Sequence, residues 1–174
     1  MKKVMYAVSG VSLVLMFLFF GLAAGTGVKI FLTLGITALT VCYHFTVRLV
    51  IGNIVGLISF DHRGGWFVER SFEERLYKKL KVRRWKEYMP TYNEELYSLK
   101  TNSIIEVVAE TCRSEVVHEI NILASLAAML FAVMFGDLWV FCITSVLGAA
   151  FDLAFVVIQR YNRPRLLRAY GRKK

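Results

Sequence analysis

The sequence predicts an all-α, polytopic membrane protein with four transmembrane helices, and three observations predict it. Hydrophobic residues make up 56% of the 174, too many for a soluble domain of this length. They concentrate in four runs, each close to the roughly 20 residues that a helix needs to cross a bilayer. The charges collect at the ends of those runs. The whole chain, 1–174, reads as a single integral membrane domain.

The first run, Val4–Ala24, follows Lys2 and Lys3. "MKK", an apolar core and "FGLAAGTG" also outline a secretory signal peptide. The run is longer than the usual signal core, however, and its removal would leave three spans with an unbalanced topology, so it is read as the first span. The second, Val28–Ile51, follows across "AGTG". Beyond Arg48 the chain stays apolar through "RLVIGNIVGLISFDHRGGWF", so this helix either runs on or turns into the interface, with Gly52, Gly56, Gly64 and Gly65 as places to bend. In "ERSFEERLYKKLKVRRWKEYMP", Phe72, Leu76, Leu80 and Val82 recur against many charges, which predicts an amphipathic helix at headgroup level ending at Pro90. "TYNEEL" opens a further helix running from about Glu94 towards the third span. The third and fourth spans are placed at Val116–Phe135 and Leu138–Ile158, joined by "GD". A basic tail, 160–174, closes the chain.

Charge sets the expected topology. The formal net charge is +9, with eleven Lys/Arg and nine Asp/Glu in the segment 60–113, so most of the excess sits before the first span and after the last. By the positive-inside rule both termini and the central segment lie in the cytoplasm. The basic excess then answers to topology, to lipid headgroups and to a polyphosphate ligand. No nucleic-acid-binding motif accompanies it, and nucleic acid is discounted as a partner. Cys42, Cys112 and Cys142 have no paired spacing and read as small apolar fillers.

Once every face of a helix is apolar, its polar residues become the signal. Thr33, Thr37, Thr40, His44 and Arg48 fall on one face of the second span, and Ser145, Gly148, Asp152 and Gln159 on one face of the fourth. Glu115, His118 and Glu119 share one face at the start of the third. Turned inward, these stripes outline a polar pocket open to the cytoplasmic side. Duller explanations stand beside this one. Glu115 and Glu119 would sit in the first turns of a helix, where acids are favoured. Arg48 and Arg113 can snorkel, and threonines can bond to their own backbone. Intramembrane His118 and Asp152 are the stronger functional candidates. His44 serves equally well as a cross-link between helices. A metal reading is weak: Glu115–His118 is one Glu-x-x-His, without the second copy and the extra glutamates that a di-iron site requires.

Three blocks carry a resemblance: "LKVRRWK", "ETCRSEVVH" and "VIQRYNRPRLLRAY". Together, from Phe60 onward, they resemble the glycosyl-4,4'-diaponeurosporenoate acyltransferase family, small bacterial membrane enzymes that attach a fatty acyl chain to the sugar of a glycosylated carotenoid. The first two spans match only in character. The resemblance implies an acyltransferase with an amphiphilic glycosylated acceptor, membrane lipids as partners and no cofactor. An acyl-CoA or acyl-carrier thioester would be the co-substrate. Such chemistry needs a base for the hydroxyl proton. His118, oriented by Glu115, Glu119 or Asp152, fits that role. Glu110, Arg113, Glu119, Gln159 and Asn162, with His44 and Arg48, complete the candidate substrate-binding set. Arg160, Arg163 and Arg165 flank an expected "NRP" turn, where they suit the phosphates of the donor. The competing classes are a lipid- or partner-binding four-helix module and a metal-dependent lipid-modifying enzyme.

Overall fold

The computed structural model describes residues 2–90 and 94–172. Among them there is no strand. Four helical stretches are long and apolar enough to cross a membrane: Lys2–Thr26 (α1), Lys29–Val55 (α2), Ile104–Phe135 and Leu138–Gly171 (α7). The third comprises helix α5 (Ile104–Ala127), a 3₁₀ turn (Ala128–Phe131) and the short α6 (Ala132–Phe135). Between the second and third stretches lie α3 (Glu73–Lys79), α4 (Val82–Trp85) and two 3₁₀ turns, Lys86–Tyr88 and Glu94–Tyr97.

Three of these boundaries correct the sequence reading. Helix α5 begins twelve residues before Val116, because Ser103 and Glu106 form a reciprocal capping box. The Ser103 N–H donates to Glu106 Oε2 at 2.7 Å and the Glu106 N–H to Ser103 Oγ at 3.3 Å. Glu115 and Glu119 therefore lie well inside a helix rather than in its first turns. Secondly, "NRP" is not a turn. Pro164 lies inside α7, which runs on to Gly171, so most of the expected basic tail is helical. Residue 164 has no N–H to give the carbonyl of residue 160, a loss that ordinarily breaks a helix. Here Arg160 and Arg163, both in the turn before the proline, are tied to other elements, and the helix continues past it. Thirdly, the amphipathic segment is two short helices, broken at Lys81 with φ 52°. Its Phe72, Leu76 and Leu80 are exposed, while Glu73, Tyr77 and Val82 are buried.

The chain divides into two compact units. One comprises residues 54–119 and 152 to the C-terminus, and its apolar centre is Tyr77, Val82 and Tyr161 with Trp85 and Val157 against them. The other comprises residues 2–53 and 120–151. There Phe20 stacks on Phe135, Tyr43 meets Phe131 edge-on, and the Tyr43 hydroxyl donates to the Ala124 carbonyl at 2.9 Å. Thr37 and Thr40 bond back to their own helix, at 2.8 and 2.6 Å, so two members of the α2 polar stripe are satisfied locally. The three cysteines are free thiols.

Gly148 in this second unit sits under a polar cap. Arg48 Nη2 donates to the Gly148 carbonyl at 3.2 Å and to Ser125 Oγ at 3.1 Å, and Arg48 Nη1 to the His44 carbonyl at 2.7 Å. A Cβ at Gly148 would stand 3.0 Å from that guanidinium and 3.2 Å from the serine oxygen, whereas one at Gly21 would meet nothing within 4 Å. Gly148→Val should therefore lower the melting temperature of the detergent-purified protein, with Gly21→Ala leaving it unchanged. Equal melting of the two variants would refute the close packing.

Candidate active site

The buried ionisable residues of the first unit gather along two stretches, Thr111–His118 of α5 and Asp152–Arg163 of α7. The spacing of three to four residues on each helix keeps these side chains on one face. At one end Arg163 Nε donates to Thr111 Oγ1 at 3.1 Å and Nη2 to the Thr111 carbonyl at 3.2 Å. One turn on, Gln159 Nε2 donates to Ser114 Oγ at 3.1 Å. At the other end His118 Nδ1 meets Asp152 Oδ1 at 2.8 Å.

Glu115 occupies the centre and is fully buried. One carboxylate oxygen accepts from Arg160 Nη1 at 2.6 Å and the other from Arg163 Nη2. Arg160 also grips Glu73, with Nη2 at 2.6 Å and Nε at 3.0 Å from the same oxygen. The second Glu73 oxygen accepts from the Tyr77 hydroxyl at 2.8 Å. The remaining guanidinium donors reach the carbonyls of Trp66 at 3.0 Å and Phe67 at 3.1 Å, and the Phe67 ring lies against Arg163. Two carboxylates and two guanidiniums thus close a neutral, multiply hydrogen-bonded network, the form in which buried charge is tolerated. Burial and the Glu73 hydrogen bond push the Tyr77 phenol above its ordinary range, so it stays protonated and keeps donating.

This geometry separates the residues that the sequence grouped. Of the three carboxylates considered for His118, Asp152 is its partner. Glu115 serves the arginines, and Glu119 accepts from Trp66 Nε1 at 3.0 Å. Arg160 and Arg163 direct their donors into the protein. Arg165 lies over the Tyr161 ring, 3.5 Å from its centroid. Asn162 accepts from Lys86 Nζ at 3.0 Å. Glu110 and Arg113 pair with each other at 2.6 Å, and Arg113 Nε also donates to the Ile58 carbonyl at 3.1 Å. Gln159 has Tyr97 as a second, longer contact at 3.5 Å. Burial pushes that phenol up to about 12. His44 and Arg48 belong to the other unit, with Ser125 and Gly148.

Glu73, Trp66 and Thr111 were not among the sequence candidates. For Glu73 the usable signal was its i, i+4 spacing to Tyr77, which competed with the more conspicuous apolar stripe of Phe72, Leu76 and Leu80. Trp66 and Thr111 act partly through main-chain carbonyls, which no side-chain pattern reports.

The His118–Asp152 pair has the form of a base and its orienter. Asp152 is 1% exposed, and the imidazole lies flat on Phe155, with ring centroids 4.6 Å apart and planes at 8°. With Asp152 ionised, the 2.8 Å bond requires the proton on Nδ1, which leaves the Nε2 lone pair to accept another. Nε2 has no hydrogen-bond partner among the described residues, and the side chain keeps 19% of its surface exposed. An imidazole held in one tautomer and reachable at its other nitrogen is what general-base chemistry requires. Among the described residues no three His, Cys, Asp or Glu side chains form a group able to hold a metal.

A family model described as glycosyl-4,4'-diaponeurosporenoate acyltransferase matches residues 63–172, a stretch containing the α3–α4 segment, α5, α6 and all of α7. No curated protein and no solved structure matches the chain.

The network makes a stability prediction. Glu115→Ala would leave two guanidiniums facing each other in a buried site, a change expected to cost about 3–5 kcal/mol. Glu69→Ala, which removes only the half-buried partner of the exposed Arg168, should cost less than about 1 kcal/mol. Denaturant titration in detergent followed by circular dichroism would test the difference, and equal losses would contradict the central role of Glu115.

Proposed function

Since this chain belongs to the glycosyl-4,4'-diaponeurosporenoate acyltransferase family, we propose that it moves a fatty acyl chain from a thioester donor to a sugar hydroxyl of an amphiphilic glycosylated acceptor, a carotenoid glycoside or a similar lipid. The donor is an acyl-CoA or an acyl-carrier thioester. The observation that carries the mechanism is the 2.8 Å contact between His118 Nδ1 and Asp152, with Nε2 left available.

In this reading Nε2 takes the proton of the acceptor hydroxyl as its oxygen attacks the thioester carbonyl. Asp152 holds the ring by its Nδ1–H and stabilises the imidazolium that forms. The tetrahedral intermediate then collapses, breaking the carbon–sulfur bond, and the departing sulfur takes the proton from Nε2. The ester is complete and the base is restored. The long apolar helices suit a reaction in which acceptor and acyl chain both arrive from the bilayer. The basic residues near both ends of the chain support a cytoplasmic position for the termini. Glu115, Arg160 and Arg163 take a positioning role, since the network they build sets α5 against α7 and so sets His118 against Asp152.

Lipid extracts of cells expressing the wild type should contain pairs of species differing by one fatty-acyl mass. His118→Ala and His118→Gln should abolish the heavier member while the proteins still insert and melt normally. Asp152→Asn, which keeps the shape but loses the charge, should slow transfer by about 10²-fold or more. Unchanged lipid profiles with and without the wild-type protein, at matched expression and substrate supply, would remove acyl transfer. Full activity in a His118 variant would remove the mechanism.

A further inference from the structure

The first unit carries a second polar feature that this chemistry does not use. A cavity of about 660 Å³ is lined by Lys78, Lys81, Arg83, Arg84, Lys86 and Arg165. Only Glu74 and Glu87 oppose these six cations in its wall. Lys78 is paired with Glu74 at 2.9 Å, while Lys81, Arg83 and Arg84 form no ion pair among the described residues. Burial first, and then the nearby Arg165, push the Lys86 ammonium below its ordinary range, with Glu87 pulling the other way. Six cations against two acids leave the wall with a positive excess, and a volume of this size suits a small-molecule group. Lys81 takes a left-handed φ of 52°, unusual for a residue with a side chain, at the break that separates α3 from α4 along this wall.

Two observations narrow the occupant. Tyr161, in the cavity wall, follows Asp152 by nine residues on α7, which places it about 13 Å along the axis and half a turn round it. The cavity thus lies on the far side of that helix from the His118–Asp152 contact, badly placed to present a reacting carbonyl there. The same segment also exposes Phe72, Leu76 and Leu80 on and beside α3. At 100° per residue Leu76 lies nearly half a turn round α3 from Lys78, so the apolar stripe and the cavity occupy different faces of that helix. A segment with cations on one face and exposed apolar side chains on another suits the headgroup layer, where anionic phosphates are the ligands at hand.

We propose that this cleft is a phosphate-binding site occupied by the headgroup of an anionic phospholipid. Lys81, Arg83, Arg84 and Lys86 contact the phosphate, and the α3 stripe faces the surrounding lipid. The site is independent of acyl transfer, so binding without turnover tests it. The full-length protein would be placed in nanodiscs of phosphatidylcholine containing a minor fraction of phosphatidylglycerol, and the lipid that remains bound on delipidation identified by native mass spectrometry. Wild type and His118→Ala should both retain phosphatidylglycerol selectively. Lys81→Glu with Arg84→Glu, both at exposed positions, should weaken that retention by about tenfold or more. The milder Lys81→Gln variant should give a smaller loss with an unchanged circular dichroism spectrum. No preference of the wild type for phosphatidylglycerol over phosphatidylcholine, or equal retention by the charge-reversed variant, would overturn the proposal. Binding of sodium pyrophosphate or coenzyme A to the cleft without any phosphatidylglycerol retention would reassign it to soluble phosphates and overturn the lipid occupant.

Discussion

The burial of the Glu115 carboxylate between two guanidiniums is the constraint on which the first unit rests. A lone carboxylate at 0% exposure would be prohibitively costly, and so would either arginine without it. Each member of the network is affordable only because the others are present, so the fold cannot loosen at one without exposing the rest. Through Arg160 the same carboxylate is linked to Glu73 and Tyr77, and through Arg163 to Thr111 and the Phe67 carbonyl. One acidic residue in mid-helix thereby ties α5, α7, α3 and the loop before α3 together.

That network also acts as a ruler. Contacts from Thr111 to Arg163, Ser114 to Gln159, Glu115 to Arg160 and His118 to Asp152 step along two helices in opposite directions. A shift of α7 by one residue would rotate every one of these side chains by about 100° away from its partner. The 2.8 Å contact at the end of the ladder is thus maintained by ion pairs several residues away. Locked neighbours of this kind hold a hydrogen-bonded side-chain pair in one geometry.

The residues of opposite sign are sorted by location. Arginines of α7 that meet buried acids are neutralised and serve the packing, whereas the lysines and arginines of the α3–α4 segment remain in excess over their acids. Both groups look alike in composition. The difference lies in burial, which decides whether a cation is a structural partner or an open binding group.

The sequence by itself determined the helical class, the four long apolar stretches and the acyltransferase resemblance, since length, period and local motif are properties of neighbours in the chain. It also contained the Ser103–Glu106 capping box, legible from its three-residue spacing but overlooked beside the longer apolar run. It singled out His118 and Asp152 because an ionisable group within an apolar helix is costly wherever it points. What only the tertiary structure decided was the pairing. Glu115, Glu119 and Asp152 were equivalent partners for His118 as long as the register of α5 against α7 was unknown. Arg160 and Arg163 read as open cations because their acids are separated from them by 45 and 48 residues, and from Glu73 by 87. Pro164 read as a turn because its local preference was visible, while the long-range ion pairs around the helix that continues past it were not. Local preference is written in adjacent residues, but the identity of a buried charge's partner depends on how whole helices settle against one another.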